Sequence, residues 1–193
     1  VKCDITKEEE IIEMVDKVIS HYAQIDILVN NAGMASGTAS EDMTLEEWDK
    51  IIRLNLTGSF LVSREVGKHM IASRYGKIIN TCSIQGIRCT MGMPGTPYNS
   101  SKGGDIMMVR SLAAEWAQYG ITVNGIGPGY FPTDIDKEYL ATDYFKGQLA
   151  MHCPMGRIGR DGELNGVLIY FASDASSYTT GQIMYVDGGW TLV

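Results

Sequence analysis

The chain has 193 residues, 45% of them hydrophobic and 20% charged, with a formal net charge of −7 at pH 7. That length and balance fit one domain with a real core, and the acidic excess argues against partners such as nucleic acid or an acidic membrane that bind through a basic surface. No run reaches the ~18 apolar residues of a membrane span, and the cysteines at 3, 82, 89 and 153 have neither metal-ligand spacing nor a disulfide framework, so reduced thiols, no metal and a cytoplasmic location are the expectation.

In chain order, "VKCDI" (1–5) reads as a strand. "TKEE" sets Thr6 three residues ahead of Glu9, a capping box, and Ile11, Val15, Val18 and Tyr22 follow at helical spacing. "IDILVNNAG" (25–33) is a short apolar run ending in Asn and Gly, a buried strand with a turn behind it. Thr44 with Glu47 makes a second capping box, and helical character runs on to about Arg74 with a break near Asn55 and Gly58. "GKIINTCS" (76–83) is a strand. A helix then covers 97–119: Thr96 is its N-cap, Pro97 its first residue, Val109, Leu112, Ala113 and Trp116 its core-facing stripe, and Gly120 its stop. "ITVNGIGPG" (121–129) is a strand with a turn. A polar, variable segment continues to about 160, followed by a helix over 162–173 and a last strand in "IMYVDGG" (183–189).

Strands alternating with helices, and apolar on both faces, predict an α/β protein whose parallel sheet is covered by helices. Ligands in such sheets bind beyond the carboxyl ends of the strands, which singles out Asn31–Gly33, Ser83 and Pro128–Gly129. The helix from 97 can bring its first turns to the same rim. Those turns carry Tyr98 and Lys102, four residues apart and so on one face. An ammonium beside a phenol favours the phenolate, which suits proton exchange. Alone the pair is a weak signal, since a surface Tyr/Lys pair at a helix start has the same spacing.

Taken together, "NNAG" (30–33), Asn55 in "RLNLTGSF", Ser83 in "IINTCSIQG", "YNSSK" (98–102), "VNGIGPGYFPT" (123–133) and "YVDGG" (185–189) resemble the short-chain dehydrogenase/reductase family over essentially the whole chain. The resemblance implies a single, Rossmann-like doubly wound parallel-sheet domain over 1–193, and hydride transfer between a nicotinamide cofactor, NAD or NADP, and a secondary alcohol or ketone. It implies Tyr98 as general acid/base, Lys102 as the group that tunes it and binds the nicotinamide ribose, and Ser83 as the residue orienting the substrate oxygen. Asn55 resembles the residue whose backbone holds a water linking the lysine to solvent. For the cofactor it implies Asp4 at the adenine amino group with Ile5 beside it, Asn31, Ala32 and Gly33 along the adenosine, and Pro128, Gly129 and Thr133 around the nicotinamide.

The pattern also departs from the family. A glycine-rich phosphate loop belongs after the first strand, and "GIGPGY" (125–130) has the wrong spacing and follows a late strand. The expectation is an N-terminally truncated domain lacking roughly sixty family residues, with the strand at 1–5 left without neighbours and tight cofactor binding lost. The residue that separates NAD from NADP falls in that part, so the choice is unreadable. In wording the chain is similar to gluconate 5-dehydrogenases and other sugar-acid and polyol dehydrogenases. Acyl-carrier-protein ketoreductases share much of it, and a non-catalytic oligomeric binding or assembly protein on the same fold is the alternative of another class. The loop between Ser83 and Tyr98 brings Arg88, Met91 and Met93 toward the cleft, where Arg88 is a candidate clamp for a substrate carboxylate. Gly58, Gly67, Gly103 and Gly104 suggest close helix approach, and the resemblance places those helices at a subunit interface of a homotetramer.

Overall fold

The computed structural model describes residues 1–133 and 137–192. Four strands, β1 (Ile27–Asn30), β2 (Gly76–Thr81), β3 (Ile121–Pro128) and β4 (Ile183–Val186), form one parallel sheet in the order β1-β2-β3-β4. The helices are α1 (Glu8–Tyr22), α2 (Leu45–Ile52), α3 (Ser59–Ser73), α4 (Thr96–Trp116), α5 (Lys137–Leu140), α6 (Asp143–His152) and α7 (Asn165–Ala172). Among the described residues no helix is long and apolar enough to cross a membrane.

Alternation along the strands splits the core into two layers. Ile78, Ile121 and Val123 face α1, α3 and α4, and meet Ile11, Val15, Val66, Met70, Val109 and Leu112. Ile79 and Ile126 face the other way onto Val167 and Phe171 of α7. This is the doubly wound arrangement that the element order predicts. A third cluster, Ile84, Tyr130, Phe145, Cys153 and Trp190, lies beyond the carboxyl ends of the strands.

Four expectations need correction. Residues 1–5 form no strand: Asp4 turns there, its carboxylate accepting the Thr6 N–H at 3.0 Å and hydroxyl at 2.7 Å. That use of Thr6 also removes the first capping box, since its hydroxyl is spent on Asp4 and α1 starts from Lys7 with no side-chain cap. β1 is not buried on both faces. It is an edge strand packed against α3, and Ile27 and Val29 stay 45% and 44% exposed. The polar stretch before 160 contains α5 and α6, anchored by the buried Phe145, because three or four inward residues suffice for a helix whose remaining faces are polar.

Elsewhere the local signals hold, except at the start of α4. Thr44 caps α2 by accepting the Glu47 N–H at 3.1 Å, although the Glu47 carboxylate turns to Ser36 and Thr38 rather than back onto the cap. The break near Asn55 is a π-helical turn, Arg53–Gly58, joining α2 to α3. α4 starts at Thr96 itself, with Gly95 in the cap position and no side-chain cap, so the Thr96 cap expected from the sequence does not form: its hydroxyl pairs with Ser40 at 2.6 Å. A 3₁₀ turn, Ala117–Tyr119, follows α4, and Gly120 closes that turn at φ 76°.

Candidate active site

A cavity of about 290 Å³ opens at the carboxyl ends of β2 and β3, against the first turns of α4. Asn31, Gly33, Ser83, Tyr98, Lys102, Pro128, Gly129 and Thr133 all line it. The three segments that the strand-end argument selected and the first turns of α4 therefore meet in one place.

Ser83 follows β2 and caps a single 3₁₀ turn, Ile84–Gly86. Its hydroxyl accepts the Gln85 N–H at 3.1 Å, which leaves its own proton to be given. α4 packs tightly on that turn: a Cβ at Gly86 would stand 2.7 Å from the Lys102 carbonyl oxygen. The separation of Ser83 from Tyr98 and Lys102 is thus fixed by backbone against backbone.

Lys102 is buried, and its ammonium lies 5.8 Å from the centroid of the Tyr98 ring. It donates to the Thr81 carbonyl at 2.6 Å and pairs with the Asp105 carboxylate at 3.2 Å. Burial pushes the Asp105 carboxyl above the ordinary aspartate range, and Lys102 pulls it back. Burial first, then the neighbouring Asp105, pushes the Cys82 thiol up to about 12, so it is an inert wall residue.

Asn55 sits behind the cavity, fully buried because the π turn rotates it inward. Its side chain accepts from the Met34 N–H and donates to the Met34 carbonyl, both at 2.9 Å, and donates to the Ser101 hydroxyl at 3.0 Å. Its own carbonyl accepts the Ser59 hydroxyl at 2.9 Å. Asn55 therefore ties the 31–34 wall to α4.

Asp4 and Ile5 are not among the residues lining this cavity. Asp4 is held by Thr6, and Ile5 packs where a Cβ on Gly58 would reach its carbonyl at 2.9 Å. Ala32 lies between the lining residues Asn31 and Gly33. Arg88 does not enter the cavity: its guanidinium donates to the Trp190 carbonyl at 2.9 Å and meets His152 at 3.4 Å, tying the 84–95 loop to the C-terminal segment. Met93 lines the cavity, whereas Met91 is exposed. The glycines serve close approach within the chain, Gly67 against the Trp116 ring and Gly104 against Leu56, each with a prospective Cβ at 2.7 Å.

Sequence reasoning passed over Gln85, Tyr130 and Asp105. The Gln85 amide nitrogen donates to Tyr130 at 3.1 Å and Thr90 at 3.0 Å, and its Oε1 has no partner among the described residues. Asp105 had a signal, since it lies four residues before Val109 and so on the buried stripe of α4.

A family model described as Enoyl-(Acyl carrier protein) reductase matches residues 1–191. The chain belongs to the short-chain dehydrogenase/reductase family. Among its curated relatives in that family, the gluconate 5-dehydrogenase of Gluconobacter oxydans is 35% identical over 190 residues, 98% of this chain and 73% of that protein. The 2-dehydro-3-deoxy-D-gluconate 5-dehydrogenase of Pseudoalteromonas atlantica is 37% identical, over 98% of this chain and 74% of its own length. A crystal structure of a gluconate 5-dehydrogenase from Burkholderia cenocepacia, in complex with NADP and tartrate, superposes with a TM-score of 0.94 at 37% identity, covering 98% of this chain and 74% of that one. As a short-chain dehydrogenase/reductase, the chain has its cavity where the general rule for doubly wound sheets puts a ligand.

Proposed function

We propose that this protein is an NAD(P)-dependent oxidoreductase that moves a hydride between nicotinamide and a secondary alcohol or ketone of a small sugar acid or polyol. The observation that carries it is the convergence of Ser83, Tyr98 and Lys102 on one cavity at the sheet's carboxyl edge. The residues present fit the nicotinamide half of the cofactor. Gly33 keeps space beside the ammonium, since even a Cβ there would come within 4.0 Å of Lys102 Nζ. Pro128 and Gly129 offer a flat wall, and Thr133 a hydroxyl for an amide.

When bound, the nicotinamide supplies or accepts the hydride. Tyr98 takes the proton of the substrate hydroxyl in oxidation and returns it to the carbonyl oxygen in reduction. Ser83 donates its hydroxyl proton to the same oxygen and steadies the charge developing there. Lys102 has three donors, two of them spent on Thr81 and Asp105, so one remains for the cavity side, where it stabilises the phenolate and meets a ribose hydroxyl. Asn55 positions the wall against which the cofactor rests. Gln85 and Asn99, both lining the cavity, suit a polyol more than an acyl chain, which favours sugar acids over acyl thioesters.

We further infer a cytoplasmic homo-oligomer, a tetramer with two-fold axes. Four unpaired cysteines and the exposed Phe60 and Met107 on α3 and α4 support this reading, and sedimentation tests it. The activity is tested by following nicotinamide absorbance with gluconate-type acids and their keto forms, using NADP and NAD in parallel. Turnover of acyl thioesters in preference to every sugar acid would replace the substrate assignment, and cofactor binding with no hydride transfer to any ketone or from any alcohol would replace the enzyme reading.

A further inference from the structure

Asp105 is 2% exposed and stands one turn beyond Lys102 on the buried face of α4. Its Oδ2 holds the lysine ammonium at 3.2 Å, and its Oδ1 has no hydrogen-bond partner among the described residues. A buried carboxylate with half its hydrogen-bonding capacity unmet is costly, and an apolar residue of similar volume usually serves packing better. Packing therefore gives no reason for this charge. Its position does: it touches the Lys102 ammonium, which lies against Tyr98.

We propose that Asp105 is a positioning residue that fixes the Lys102 ammonium against the Thr81 carbonyl and offsets part of its charge, thereby setting the pH at which Tyr98 exchanges its proton. Two anchors on the lysine leave it a single direction, toward the cavity. The carboxylate at 3.2 Å also offsets part of the ammonium's charge, which weakens the pull that a phenolate at Tyr98 would feel. The other groups around Asp105 do not substitute for it. The Cys82 thiol, from the end of β2, stays protonated with its pKa up at about 12. β3 and the 84–86 turn bring no charged side chain to α4. From the α2 side, Glu47 is held by Ser36 and Thr38, Arg53 donates to the Thr6 carbonyl, and Glu46, Asp49 and Lys50 are exposed. Among the described residues, the buried charges on α4 are thus Lys102 and Asp105.

This inference rests on the proposed role of Tyr98, and its test does not need turnover. The chain has ten tyrosines, so the Tyr98 signal is the ultraviolet difference between each protein and the same protein carrying Tyr98→Phe. Asp105→Asn and the apolar Asp105→Leu are compared with Asp105→Glu, each checked for a native melting transition. The expected result is a Tyr98 midpoint lower by about half to one pH unit in both neutral variants, with the glutamate variant close to wild type. In the active enzyme the acidic limb of kcat for alcohol oxidation moves by the same amount. A purely structural role would lower the melting temperature and leave the midpoint in place. An unmoved or raised midpoint in whichever neutral variant folds overturns the proposal. A shifted midpoint in a protein that oxidises no sugar acid leaves this proposal standing and removes only the activity reading.

Discussion

Asn55 holds Met34 by both of its main-chain groups, accepting the N–H and donating to the carbonyl at 2.9 Å each. A side-chain amide here plays the part of a neighbouring strand, and it does so from a π turn that a regular helix could not offer. The loop after β1 is thereby locked to α3 and, through Ser101, to α4.

Asn55→Ala removes three hydrogen bonds made by a fully buried side chain and takes away the partner of both Met34 main-chain groups. The expected loss is about 2–4 kcal/mol of stability, with a rise in KM for the cofactor larger than the fall in kcat. Chemical denaturation and steady-state kinetics read the two effects. A variant with unchanged cofactor KM would show that the 31–34 wall does not bear on binding.

How much of this could be read from the residues follows from range. The sheet, the helix order and the strand-end site depend on local periodicity and on turn signals such as Gly33, Pro128 and Gly120, and these were legible. The π turn was visible as a flaw at Asn55, but its purpose was not, because Met34 is 21 residues away. Thr6 and Glu9 formed a valid capping pattern that lost to Asp4, a competitor for the same hydroxyl that spacing alone does not rank. α6 was missed because its apolar content is concentrated in few residues, Phe145 above all. Arg88 pointed toward the cleft in sequence terms, yet its partner is the carbonyl of Trp190, 102 residues on.

Tyr98→Phe keeps the ring against the lysine and deletes the exchangeable proton. Turnover is expected to fall by ~10²–10⁴-fold with little change in melting temperature or cofactor affinity. Retention of more than about a tenth of wild-type kcat would assign proton transfer to another group.

Glu163 gives a pH-dependent contribution to stability. Arg157 clasps its carboxylate with two bonds of 2.8 Å and the Arg160 N–H adds a third, which lowers its pKa from the ordinary 4.5 to about 2. A depressed folded-state value means that the stabilisation is fully present above pH 4.5 and is lost as pH falls through about 2. Glu163→Gln is expected to melt below wild type at neutral pH, with the two curves converging as pH drops across that window. Because the pair is exposed, added salt narrows the gap as well. A gap that persists at pH 2 and in high salt would assign the effect to packing of the 157–163 loop.

Gly86 and Gly166 make opposite predictions for the same substitution. At Gly86 an added Cβ would lie 2.7 Å from the Lys102 carbonyl oxygen and 2.9 Å from its carbon, and backbone on a packed helix does not give way as a side-chain tip does. The 84–86 turn must lift from α4 and take Ser83 with it. Gly86→Ala is therefore expected to cost about 1–3 kcal/mol and to lower kcat by on the order of tenfold to a hundredfold, since a shift of about 1 Å between reacting groups is enough for that. Gly166, within α7, has nothing within 4 Å of a prospective Cβ. Alanine there removes backbone freedom from the unfolded chain and stabilises the helix, by up to about 1 kcal/mol, with kcat unchanged. Melting curves and single-turnover rates on the two variants separate the cases. Equal activity in both would mean that the Ser83–Tyr98 spacing tolerates more play than the packing of this turn on α4 implies.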